Sequence, residues 1–138
     1  MYKRIYFIAL VQRTLYLFNK EGKIVLPVEI KNMEALMFLT GKVGVKGNSP
    51  HFYMFVKALL EYFGAKVVSV NLLRCENSLF CAELNLIVYK KHVKMTMNFV
   101  DAFVISRLFD APLYADHKVL DDRGIRVSKE ILRDALQE

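Results

Sequence analysis

In the stretch NFVDAFVISRLFDAPLY, Asn98 to Tyr114, a single carboxylate, Asp101, interrupts a run that is otherwise almost wholly apolar until Asp110. A carboxylate there has two physical uses. Asn98 is a favoured helix N-cap residue, and Asp101 stands three positions later, where an acid can reach back to the cap's backbone N–H and gain from the helix dipole. The alternative is chemistry, a carboxylate that positions metal or water at a phosphodiester. Residue chemistry alone favours the cap. Glu34 has the same pair of readings, with Lys31 or Asn32 as its cap. If both acids faced one cleft, they would hold a divalent cation, magnesium or manganese, for phosphodiester hydrolysis. Asp101 and Glu34 are therefore the candidate catalytic residues.

The candidate nucleic-acid contacts are cations. Lys90, Lys91 and Lys94 cluster in YKKHVK, at what should be a hairpin tip, with Tyr89 available to stack on a base. The plainer reading of that cluster is a solvated turn. Arg107, on the helix that follows Asp101, could join them or be an ordinary exposed helix residue. The sequence has no Gly-rich phosphate loop, no Cys/His zinc spacing and no Ser or Cys nucleophile motif. His51, His92 and His117 lie far apart without ligand spacing and read as surface or cap residues.

These residues need a scaffold, and composition bounds it. A chain of 138 residues with 54% hydrophobic and 12% aromatic content fills the core of one domain. The net charge of +6, from 20 Lys and Arg against 14 Asp and Glu, attracts polyanions, so RNA and DNA are permitted partners. A mean hydropathy of +0.24 is high for a small monomer and predicts an apolar surface given to a partner, with a homo-oligomer, at least a dimer, as the expected state. The N-terminal MYKRIYFIALVQRTLYLF is broken at Arg13, short of the ~18 to 20 apolar residues a membrane helix needs. No membrane span or export segment is expected. Cys75 and Cys81 are too few for a disulfide framework and read as buried free thiols in a reducing cytoplasm.

Alternating and β-branched residues predict strands over 3–11, 13–18 and 23–30, with turn chemistry at Asn19 to Gly22. Helical spacing follows over 32–39. A loop, GKVGVKGNSP, then leads into a longer amphipathic helix over 50–63, closed by Gly64. The order recurs with strands over 66–74, 79–89 and 92–97 and a helix over 99–109. An extended piece over 112–115 and a weaker helix over 119–137 complete the chain. IKNMEAL at Ile30 to Leu36 and MNFVDAF at Met97 to Phe103 share a pattern at the same strand-to-helix junction. The expected fold is therefore α+β, one domain over 1–138. It is built from a duplicated three-strand, two-helix unit, about 1–63 and 66–138, whose curved, barrel-like mixed sheet has helices packed outside.

Four segments in order carry a resemblance: VLPVEI at Val25, ALLEYFGAKV at Ala58, LFCAEL at Leu79 and VDAFVISRLFDAPLYA at Val100. Together they resemble the bifunctional nuclease domain family over roughly residues 5 to 125. That resemblance implies an α+β fold with a barrel-like sheet and, as for some plant members, activity on both RNA and DNA. The family's usual Arg-Pro-Ser-Asp-Ala helix opening stands here as Asn98, Phe99, Val100, Asp101 and Ala102. Where the family often carries a His-Asp pair on the long helix of the first half, this chain has Tyr53 and Met54. Three functions fit these residues. The first is a metal-assisted nuclease with little sequence specificity; the others are a catalytically silent nucleic-acid-binding or regulatory relative and a self-associating interaction module.

Overall fold

The computed structural model describes residues 1–41 and 51–127. Strands β1 (Tyr2–Val11), β2 (Thr14–Asn19) and β3 (Ile24–Glu29) form an antiparallel meander, followed by helices α1 (Met33–Leu39) and α2 (His51–Tyr62). A second meander, β4 (Lys66–Glu76), β5 (Leu79–Val88) and β6 (Lys91–Asn98), runs directly into α3 (Phe99–Phe109). The chain then adds β7 (Leu113–Asp116), α4 (His117–Arg123) and β8 (Ile125–Arg126).

One eight-stranded sheet results, in the order β6-β5-β4-β7-β1-β2-β3-β8. The short β7 joins the two meanders, parallel to β4 on one side and antiparallel to β1 on the other. The mixed, curved sheet and the α+β class are as the sequence predicts. The sheet does not close into a barrel, however. Among the described residues β6 and β8 are its two edges. At two residues, β8 pairs with only Ile24 and Val25 and is too short to carry the ladder onward. The other edge holds Lys91 and Lys94, charges that discourage a further strand.

Period-two alternation places Leu15, Leu17, Leu26, Val28, Val70, Leu72 and Leu84 on one face, all buried. The helices gather on that face. Helix α3 packs on β4, β5 and β6 and also touches α1 and α2, so it lies between the sheet and the other two helices. That explains its composition. Phe99, Val100 and the run from Ala102 to Ser106 are all buried, and a helix buried nearly all round has no polar face to show.

The last expected helix is cut short. Asp116 caps α4 by accepting a hydrogen bond from the Lys118 N–H at 2.9 Å, and the helix stops at Gly124. A side chain at Gly124 would collide with Ile24 and the Leu120 carbonyl, so the turn there into β8 needs glycine. Residues 42–50 of the predicted loop and 128–137 of the predicted helix lie outside the described residues. Cys75 and Cys81 are free thiols, half-buried rather than buried. Cys75 stands opposite Phe80 and Cys81 opposite Arg74, so the hairpin register turns the two thiols to opposite faces.

Candidate functional site

The site forms where α3 meets the starts of α1 and α2. Asn98 ends β6 opposite Cys81 and also caps α3, its side-chain oxygen accepting from the Val100 N–H at 2.9 Å. Asn32 does the same for α1, accepting from the Glu34 N–H at 2.9 Å. The caps thus equate Asn32 with Asn98, one residue out of step with the motif alignment. Glu34 is the second residue of α1 and Asp101 the third of α3.

Among the described residues, Asp101 makes no hydrogen bond back to Asn98, so the reach-back form of capping is not realised. Its Oδ1 instead accepts from the Tyr53 hydroxyl at 2.8 Å and from Asn32 Nδ2 at 3.3 Å. Asn32 Nδ2 also donates to the Tyr53 oxygen at 3.2 Å, which closes a three-residue ring drawn from three helix starts. Asn32 therefore caps α1 with one end of its amide and holds Asp101 with the other.

Each member is itself fixed. The Arg13 side chain donates to the Ile30 carbonyl through Nε and Nη2, both at 3.2 Å, and to the Lys31 carbonyl at 3.4 Å, fastening the turn that delivers Asn32. Tyr53 is 0% exposed, and its ring packs against Phe38 at 5.5 Å and Phe52 at 5.4 Å. Burial, the hydrogen bond to Asp101 and the charges of Asp101 and Glu34 push the Tyr53 hydroxyl far above its ordinary value. Near neutral pH it is therefore a neutral donor. Such a phenol orients a carboxylate and does not act as a base or nucleophile near neutral pH.

Beside this ring lies a cleft of about 310 Å³ whose wall includes Glu29, Lys31, Asn32, Ser78, Asn98 and Asp101. The second carboxylate of the cleft is thus Glu29, at the end of β3, and not Glu34. The exposed Glu34 acts on Tyr53 through its charge but does not line the cleft. No group of three or more His, Cys, Asp and Glu side chains gathers among the described residues. Two carboxylates on a cleft wall suit a cation that keeps water and substrate phosphate as its other ligands, as magnesium does, rather than one caged by protein.

The predicted cations are elsewhere. Tyr89 and Lys90, both at positive φ, make the β5–β6 turn, and Lys91 opens β6. Asn98 and Asp101 lie at its other end. At ~3.3 Å per residue, Lys91 stands ~23 Å and Lys94 ~13 Å along the strand from Asn98. Arg107 is in the last turn of α3, with its guanidinium 4.9 Å from the centre of the Phe7 ring, and it faces away from the cleft. The lysine cluster, Arg107 and Asp101 are therefore three separate places. The cation that does share the cleft is Lys31, considered in the sequence only as a cap. His92 is exposed on β6, His117 opens α4 with Nδ1 at 3.2 Å from the N-terminal amine, and the His51 side chain lies outside the described residues.

The sequence alone does not mark Tyr53, Lys31, Glu29 and Arg13 as site residues. Only Tyr53 carried a signal, since it fills a position where the resemblance expects a polar His-Asp pair. Among the described residues no helix is long and apolar enough to cross a membrane. A family profile described as the bifunctional nuclease domain matches residues 15–128. No curated protein matches the chain.

Proposed function

The chain belongs to the bifunctional nuclease domain family, and on that footing we propose that it binds RNA or DNA and cuts phosphodiester bonds at the Asp101 cleft with little sequence preference. One observation carries this reading. Asp101 is a lone acid in a buried helix, held from two other helices by Tyr53 and Asn32 at the wall of an open cleft. In this reading Tyr53 and Asn32 are positioning residues that fix Oδ1, and Oδ2, which takes no protein donor among the described residues, orients the attacking water and accepts its proton. Lys31 contacts the phosphate. A magnesium or manganese ion, held by Asp101 and Glu29, would polarise the phosphate and sharpen the water as a nucleophile.

A second reading is a silent nucleic-acid-binding relative, favoured by the changed motif. Asn98 and Val100 stand where the family's arginine and serine would be; the first is committed to capping α3 and the second is 7% exposed. Metal-stripped protein incubated with labelled RNA and DNA, with magnesium or manganese added back, separates the two. Cleavage that needs Asp101 supports the nuclease. Salt-sensitive binding with no cleavage under any metal sinks it and leaves the binder. The proposal extends to a reducing cytoplasm, which suits two free thiols, and to self-association, which suits the apolar side chains left in solvent.

A further inference from the structure

Helix α2 carries two apolar seams. The inner one is used: Tyr53 is fully buried, and Val56 and Leu60 pack on the core. The outer one is Phe52, Phe55, Leu59 and Tyr62, respectively 57%, 55%, 47% and 83% exposed. Their 3-4-3 spacing is the a/d repeat by which two helices interlock side chains, and the four occupy a stripe about 80° wide. Such a stripe normally faces another helix. Because α3 already separates α2 from the sheet, no element of the described fold reaches this side.

We propose that the outer seam of α2 docks against the same seam of a second copy of this chain, giving a closed two-fold dimer. A stripe that packs on itself is what a two-fold interface requires. Aromatic side chains carry ~150–250 Å² each, so at these exposures the seam with neighbouring Phe63 presents roughly 500 Å² per chain, and a pair buries up to ~1,000 Å², the least that a specific interface needs. Among the described side chains, those flanking the seam, Val56, Ala58 and Phe63, bear no charge, so the net +6 does not oppose contact there. A membrane surface fits less well. Helices that lie on lipid carry Lys and Arg on their polar face. Here α2 has one lysine, Lys57, half-buried on the inner side, and one acid, Glu61. The seam also touches the cleft machinery, since the Phe52 ring meets the Tyr53 ring edge-on at 5.4 Å. A docked copy therefore buttresses the tyrosine that holds Asp101.

This inference rests on the self-association reading and not on nucleic-acid chemistry, so the cleavage assay leaves it untouched. Light scattering of the full chain from ~1 to ~100 μM, a range that brackets micromolar affinity, should show a particle of twice the 16.0 kDa chain mass. Phe55→Glu with Leu59→Glu should return it to 16.0 kDa with an unchanged circular dichroism spectrum. Tyr62→Lys, at the most exposed seam position, gives a milder second variant whose dimer constant should weaken at least tenfold. The dimer should also persist as salt rises, since its seam is uncharged. A 16.0 kDa particle throughout, or a dimer that survives both variants, overturns the proposal. So does a chain that is monomeric in solution yet binds phosphatidylserine vesicles through Phe55.

Discussion

At the scale of single residues, charge and geometry at Asp101 can be separated. Asp101→Asn keeps an oxygen for the Tyr53 hydroxyl and loses the charge, the charge-assisted share of that bond and a first-turn anion. Stability should fall by no more than about 1 kcal/mol while cleavage is lost. Urea melts beside a cleavage assay read both; a stable variant that still cuts would remove Asp101 from the chemistry. Tyr53→Phe does the converse. It removes a hydrogen bond to an ionised partner, for a loss of about 2 kcal/mol. It also changes the alkaline limb. The Tyr53 hydroxyl is raised in the fold above its ordinary 10.0, so its contribution to stability is fully present below pH 10.0 and is lost as pH rises beyond it. Unfolding free energies between pH 8 and 11 should converge for wild type and Tyr53→Phe at the alkaline end, and parallel curves would contradict that account.

At the scale of elements, two asparagines start two helices but carry different loads. Asn98 and Asn32 each satisfy one backbone N–H, so the loss of capping alone should cost about 1 kcal/mol at either position. Asn32 also donates to Tyr53 and Asp101, and its helix α1 has only seven residues. Asn32→Ser should therefore recover most of the capping energy while leaving cleavage impaired, because serine caps but does not span to Asp101. Full recovery of activity with Ser would show that the second amide contact is incidental. The β4–β5 turn belongs to the same end of the molecule, with Asn77 and Ser78 at positive φ bringing Ser78 to the cleft wall. The β5–β6 turn with its lysines is at the opposite end, and that separation fixes what it can do.

At the scale of the whole molecule, the net +6 supplies a general attraction for polyanions that weakens with salt. Lys90, Lys91 and Lys94 act on long strands only. A strand within a duplex, with a phosphate every ~3.4 Å, needs about seven nucleotides to reach from the cleft to Lys91. Replacing all three with Ala should weaken binding of a long duplex and flatten its log–log salt slope by about 3, at ~0.9 per lost contact. Cutting of a dinucleotide, too short to leave the cleft, should not change. Equal losses on short and long substrates would place the lysines in the cleft, against the strand geometry.

Much of this protein is local and could be read from the sequence. Strand alternation, the Asn98 cap, Gly64 past α2 and the ordered segments of the family pattern depend on residues within a turn or a hairpin of one another. What the sequence leaves open depends on distant contacts. Helix α4 ends early because Gly124 lies against Ile24, and Asp101 looked like a cap because its donor, Tyr53, is 48 residues away on another helix. Glu34 was paired with Asp101 by motif alignment, yet the end of β3 brings Glu29 to the cleft instead. The two seams of α2 merge in one dimension into a single amphipathic helix, and only the packing of α3 decides which is buried. Local spacing determines which elements form and which faces are apolar; the stacking of those faces, set by close packing across the whole chain, decides which polar groups meet.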